Sequence, residues 1–131
     1  MAIPYHQEEA GMNTSEFVMH KGRKILIMDA SGSSDFAANV RILEETEKMI
    51  LTEPPKSVLL LTNVSGAYYN HAVVERFKKF SKNIGPNIRA STVVGVEGIK
   101  IIILQTIIFL TRRKIEMHAT VEEAKDWLAL Q

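Results

Sequence analysis

The sequence predicts a single α/β domain with a central, mixed, mostly parallel sheet of about five strands and helices, in the order ββαβαβαβα. Three observations lead there. The runs KILIMDA (24–30) and SVLLLTN (57–63) are strand-length and apolar on consecutive residues, as strands buried on both faces are. Segments with helical periodicity, bounded by caps and prolines, separate the later strands. Strands joined through helix-length connections pair in parallel, whereas the short Lys21-Gly22 turn between the first two makes one antiparallel hairpin.

Taken in order, residues 1–14 read as an N-terminal tail or extension and 15–131 as the domain. Phe17 and Met19 alternate with polar residues, which predicts a first strand over Ser15–His20. Lys24–Ala30 is the second strand. Ser34 or Asp35 is the N-cap of a helix whose apolar stripe is Phe36, Val40, Leu43 and Ile50, with Glu44, Glu45 and Lys48 off the stripe. Pro54-Pro55 ends it, because proline has no N–H to give and restricts the residue before it. The third strand is Ser57–Asn63. Asn70 caps a second helix with the stripe Val73, Phe77, Phe80 and Ile84, closed by Gly85-Pro86. Ile88–Val96 has strand composition, and Ile99–Thr111 follows as an apolar helix. A short strand over Lys114–His118 precedes a last helix that opens on the capping box Thr120 and Glu123 and carries Ala124, Trp127 and Leu128 on one face. No internal repeat or linker divides the chain.

Composition bounds the function. The 131 residues suffice for one core, and 46% hydrophobic with 24% charged residues is an ordinary globular balance. A formal net charge of +1 removes the bulk electrostatic case for nucleic acid. The basic clusters at Lys21/Arg23/Lys24, Lys78/Lys79 and Arg112/Arg113/Lys114 read as solvated faces and helix ends. The absence of cysteine excludes disulfides, thiolate metal sites and a cysteine nucleophile, and fits a cytoplasmic location. The opening MAIPYHQEEAGMNTSE has no continuous apolar run, so no signal peptide is expected in it. Ile99–Thr111 is too short to span a membrane, which takes about 20 apolar residues, and Lys100 and Gln105 interrupt it.

Chemistry-bearing motifs are sparse. Val64-Ser65-Gly66 lacks the leading glycine of a nucleophile elbow, so Ser65 is expected to bond the turn backbone. His71 starts a helix, where the dipole disfavours imidazolium, and no carboxylate in its segment is set to orient it; the bland reading is a surface residue. Asp29 and Asp35 flank SGSS but lack the alternating oxygen ligands of a calcium loop, and the histidines (His6, His20, His71, His118) have no i, i+4 pair, so no metal is expected. Ser31–Ser34 offers amides at a helix start, and Gly95-Val-Glu-Gly98 is a second glycine turn, yet neither matches a phosphate loop. No cofactor follows.

The apolar segment is the most informative one. Read as a helix, Ile99, Ile103, Ile107 and Leu110 form a stripe that covers the sheet, and Ile101, Leu104 and Ile108 form a second apolar face. The alternative is a buried strand, given its β-branched content. A second apolar face calls for a dimer partner, another protein or an apolar ligand.

The segments ILIMDASG, PPKSVLLLTNVSGAYYN, IRASTVVGVEGIKIIIL and TVEEAKDWLAL, spanning about residue 15 to the end, resemble the sulfate-transporter and anti-sigma-factor-antagonist (STAS) superfamily. The likeness is nearest to its sporulation-antagonist-like branch, which also resembles lipid-transfer domains of the CRAL-TRIO type. The resemblance implies a non-catalytic regulatory module whose turn and helix start after the third strand contact a partner: here Asn63, Ser65, Tyr68, Tyr69, Asn70 and His71, with Arg76 and Lys79 on the helix. It also implies a phosphorylatable serine or threonine in an Asp-Ser-Ser/Thr-Gly motif at that helix start. This chain has Tyr69-Asn70-His71-Ala72-Val73 there, without that hydroxyl. The expectation is a regulatory interaction module, homodimeric through Ile101, Leu104 and Ile108; the alternative is a small carrier of an apolar or lipid-like ligand beside the same residues, and an enzyme using His71 comes third.

Overall fold

Alternating apolar residues at the start of the chain and the continuous apolar runs that follow assemble into one sheet. The computed structural model describes residues 13–131. Strand β1 (Thr14–His20) pairs antiparallel with β2 (Arg23–Asp29), with Phe17 opposite Leu26. Strands β3 (Val58–Asn63), β4 (Ile88–Val94) and β5 (Ile115–His118) continue in parallel, so spatial order equals chain order. The parallel registers pair Ile25 with Leu59, Leu61 with Thr92 and Val93 with Met117. The tail expected over residues 1–14 falls, for residues 1–12, outside the described residues, as does His6.

Helices α1 (Phe36–Leu51), α2 (His71–Ile84) and α3 (Ile99–Thr111) make the three crossovers, and α4 (Val121–Ala129) follows β5. A short 3-10 turn, Gly85–Asn87, joins α2 to β4. Each crossover steps one strand in the same direction. Crossovers of one hand therefore leave their helices on the same side of the sheet. Side chains alternate between the two faces. Leu26, Met28, Val58 and Leu60 meet Ile42, Leu43 and Ile50 of α1 and Phe80 and Ile84 of α2 on one side. Ile25, Leu59, Leu61 and Val94 meet Ala124 and Leu128 of α4 on the other. That two-sided cover is why β3 is buried from Val58 through Thr62. Asp126 ties α4 to the hairpin through His20 Nε2 (2.7 Å) and Lys21 Nζ (3.0 Å).

Three expectations are corrected. The buried stripe of α1 is Asn39, Ile42, Leu43, Thr46 and Ile50, with Phe36 exposed and Val40 half-buried. Apolar periodicity misses Asn39 and Thr46 because their polarity is spent internally. Asn39 Nδ2 donates to the Asp35 and Tyr68 carbonyls, and Thr46 Oγ1 donates to the Ile42 carbonyl and lies within hydrogen-bond distance of Ser15 Oγ. Strand ends differ slightly: β4 stops at Val94, where Gly95 turns the chain away. The rotation of α3 also differs. Leu104 and Ile107 are buried and Ile103 is half-buried, whereas Ile99 and Leu110, expected to cover the sheet, are exposed. Leu104, expected on the second face, points inward. Ile101 and Ile108 are half-buried. The helix is apolar on nearly every side, so its own pattern does not encode which side faces in. No helix among the described residues is long and apolar enough to cross a membrane.

Candidate functional site

Parallel strands β2, β3 and β4 end at one edge of the sheet, so the loops that follow them cluster there. Their main chains are bonded to one another. Ala30 N–H donates to the Asn63 carbonyl (2.9 Å), Gly32 N–H to the Ser65 carbonyl (2.9 Å), Val64 N–H to the Val94 carbonyl (2.9 Å) and Tyr68 N–H to the Ser33 carbonyl (3.0 Å). Asp29 Oδ1 accepts from Ser31 N–H (2.9 Å) and Ser31 Oγ–H (2.5 Å), so its carboxylate closes its own turn. Asp35 Oδ1 accepts from Ala38 N–H (2.9 Å) as the N-cap of α1. Both acids are structural, and the amides of Ser31, Gly32 and Ser33 are already bonded within the protein. No metal-competent cluster of acids and histidines occurs among the described residues.

Ser65 lies exposed in the β3–α2 turn. Asn63 Oδ1 accepts from its N–H (3.0 Å), and its carbonyl accepts from Gly32. The turn is thus held by the Asn63 side chain and the Ser65 main chain, in place of the serine-hydroxyl bond expected. Across from it, Gly95 has φ +90°, and a Cβ there would fall 2.3 Å from Ser65 Oγ and 2.5 Å from Ser65 N. Only glycine lets the β4–α3 loop pass this close.

Tyr68, Tyr69, Asn70 and His71 follow on the same edge. Asn70 Oδ1 accepts from Val73 N–H (2.9 Å), the cap expected, and Asn70 Nδ2 donates to Tyr68 Oη (3.0 Å). Tyr68 and Tyr69 are 38% and 42% exposed. Lys100 Nζ sits 5.6 Å from the centre of the Tyr69 ring, within cation–π reach, and donates to the Val64 carbonyl (3.2 Å). His71 is exposed. The nearby Glu75 carboxylate bonds Lys78 at 2.7 Å, and that bond first, with a smaller attraction from His71, holds its pKa below the usual carboxylate range. His20 bonds Asp126 at 2.7 Å and His118 Nδ1 lies 2.6 Å from Thr92 Oγ1, so the described histidines are scattered.

Arg76 and Lys79 part company. Lys79 is exposed, whereas Arg76 turns toward α1 and lies 3.7 Å from Glu47. Of the partner-contacting residues expected on α2, His71 and Lys79 are thus exposed and Arg76 is not.

Behind the two tyrosines a cavity of about 110 Å³ separates α2 and α3 from β3 and β4. Leu60, Phe77, Phe80, Ile103, Leu104 and Ile107 give it apolar walls. Two cations reach it: Lys100 beside Tyr69, and Arg113 at the opposite end. Arg113 NH1 donates to the Ser81 carbonyl (2.9 Å) and Ser81 Oγ (3.1 Å), and NH2 to Ser91 Oγ (2.5 Å). All three acceptors are neutral, and burial pulls the guanidinium pKa down to about 10.

No family model and no curated protein matches the chain. A solved structure does, described as the structure of an anti-sigma-factor antagonist (STAS) domain protein from Planctomyces limnophilus. The two are 13% identical and superpose with a TM-score of 0.58 over 88% of this chain and 98% of the other. The chain has the STAS fold. The resemblance read from sequence is thus borne out at the level of fold, in a five-stranded mixed sheet with one antiparallel pair. Within this STAS fold, Asn63 through His71 lie at the edge where the parallel strands end. Lys100 and Arg113 are the residues sequence reading missed: it took one as an interruption and the other as part of a solvated helix end. A lysine in the first turn of an otherwise apolar helix was the one available clue.

Proposed function

We propose that this STAS-fold chain is a non-catalytic regulatory module that binds another protein through the edge formed by Asn63–His71 and Lys79. The observation carrying this reading is the paired, exposed Tyr68 and Tyr69 beside the capped start of α2. Aromatic side chains held on a bonded loop bury area at little entropic cost. The likeness in fold to a protein described as an anti-sigma-factor antagonist supports a regulatory class of function. The module differs from the resemblance in lacking a serine or threonine over residues 69–73, where Asn70 caps the helix and Tyr69 carries the one hydroxyl, which supports a mode of control other than serine phosphorylation at that position. The carboxylate near His71, that of Glu75, is bonded to Lys78 at 2.7 Å, which supports a non-catalytic role, and a cysteine-free chain supports a cytoplasmic one. Cross-linking and purification from the source cells tests the surface. A stoichiometric protein partner is expected with the natural chain and lost with Tyr69→Ala and Lys79→Glu. Retention of the partner by both variants would refute it.

The module dimerises through the outer side of α3. Because Leu104 is buried, the surface available is Ile102 and Phe109, 62% and 80% exposed, together with Ile99 and Leu110. Light scattering should find a dimer that Phe109→Asp converts to a monomer; a natural chain that stays monomeric at high concentration removes the idea.

The apolar cavity favours a second reading, a small carrier. Its ligand would lie against Leu104 and Ile107, inside α3 rather than outside it. Native mass spectrometry of protein from its own cells separates the two: a bound small molecule supports the carrier, a clean protein mass the interaction module.

A further inference from the structure

Apolar cavities usually close on packing or fill with an apolar body. This one differs in its charge. Leu60, Phe80, Leu104 and Ile107 supply hydrocarbon, Lys100 and Arg113 supply two positive charges, and no carboxylate lines it among the described residues. Neither cation forms an ion pair among those residues. A positive charge beside hydrocarbon attracts an anion more strongly than it would in open water, because the surrounding polarity is low. Arg113 is engaged by Ser81 and Ser91. Lys100 is freer: one ammonium N–H goes to the Val64 carbonyl, and an ammonium has three to give.

Lys100 also stands at the way in. It lines both the cavity and the open depression next to it, which Ser65, Gly66, Gly95 and the Glu97 side chain bound, so the entrance carries one carboxylate while the cavity lining carries none among the described residues. This is the edge where the parallel strands end, the usual place for a ligand in an open α/β sheet.

We infer that the cavity binds a small apolar carboxylate, its hydrocarbon body between α2 and α3 and its carboxylate on Lys100 beside Tyr69. The inference rests on the carrier reading of the cavity and names the ligand class. Size limits the body. A protein cavity of about 150 Å³ admits benzene, so the smaller 110 Å³ here limits the enclosed body to a single ring or a short alkyl chain at most. The two N–H donors that remain match the two oxygens of a carboxylate. Because Tyr69 both flanks the entrance and belongs to the proposed partner surface, an occupied cavity would alter that surface directly.

The test is titration of the ¹⁵N-labelled full chain with phenylacetate, with octanoate as the alkyl counterpart and 2-phenylethanol as the neutral one. Phenylacetate or octanoate should shift the amides of Lys100, Tyr69 and Leu104. The alcohol should bind about tenfold more weakly, the loss of one charge-assisted hydrogen-bonded contact. Lys100→Met should bring carboxylate affinity down to that of the alcohol, and Lys100→Arg should keep most of it. Equal affinity for acid and alcohol, or no loss in Lys100→Met, overturns the carboxylate assignment and leaves the carrier reading standing. Absence of shifts in the cavity with all three at millimolar concentration overturns both.

Discussion

Gly95→Ala offers a sharp test of how the functional edge is built. Two costs are separable. The first is conformational: φ is +90° at Gly95, a region that an L-residue with a side chain occupies at a penalty of roughly 1–2 kcal/mol. The second is steric. The added Cβ would lie 2.3, 2.5 and 2.6 Å from Ser65 Oγ, N and Cα. Ordinary carbon contacts begin near about 3.5 Å, so relief requires about 1 Å of movement. Two of the three atoms are backbone, held through Asn63 and Gly32, and cannot swing aside as a side-chain tip would. Together these predict a loss of about 2–4 kcal/mol, within the range that strain and overpacking produce. For a domain of this size that lowers Tm by roughly 6–20 °C. The control is Gly98→Ala, where φ is +60° but nothing lies within 4 Å of the new Cβ. It should cost only the conformational part. Urea denaturation of the natural chain and both variants, with unchanged slopes, gives the comparison. If Gly95→Ala is no worse than Gly98→Ala, the close approach of the β3–α2 and β4–α3 loops is not what holds this edge.

Three further outcomes follow from the same structure. Asn70→Ala removes the side chain that accepts from Val73 N–H and should cost about 1 kcal/mol in urea denaturation, with Asn70→Ser recovering most of it. Phe80→Ala deletes a ring that is only 3% exposed and should cost about 3–5 kcal/mol while enlarging the cavity it lines, measurable by denaturation and by xenon uptake. Asp126, exposed but bonded first to His20 and then to Lys21, has its pKa lowered in the folded state. Its stabilising contribution is therefore present above its unfolded value, about pH 4, and is lost as pH falls through the lower folded one. Asp126→Asn should flatten the acid limb of the stability curve below about pH 4, and an unchanged limb would show that the latch between α4 and the hairpin carries no linkage.

The order of elements was legible because its cues are local. Consecutive apolar residues in 58–62, the prolines at 54 and 55, and the caps Asp35, Asn70 and Thr120 each act within a few residues of themselves. What failed shares one cause. Asn39 and Thr46 read as polar but are buried, because their partners are the carbonyls of Asp35, Tyr68 and Ile42. Arg76 read as part of the partner-facing surface but turns to Glu47, which lies on another helix.

The sequence by itself determined the ββαβαβαβα order, the hairpin and parallel pairing, and the absence of a serine or threonine over residues 69–73 at the start of α2. Only the tertiary structure decided the rotation of α3, the burial of Leu104, and the meeting of Lys100 and Arg113 around one apolar cavity. The physical reason is the nature of the information. Caps, breakers and periodicity are properties of neighbouring residues, but a helix apolar on almost every side is oriented by what it packs against. Lys100 and Arg113 stand 13 positions apart at opposite ends of that helix, and each reaches the cavity only once α3 has docked beside α2.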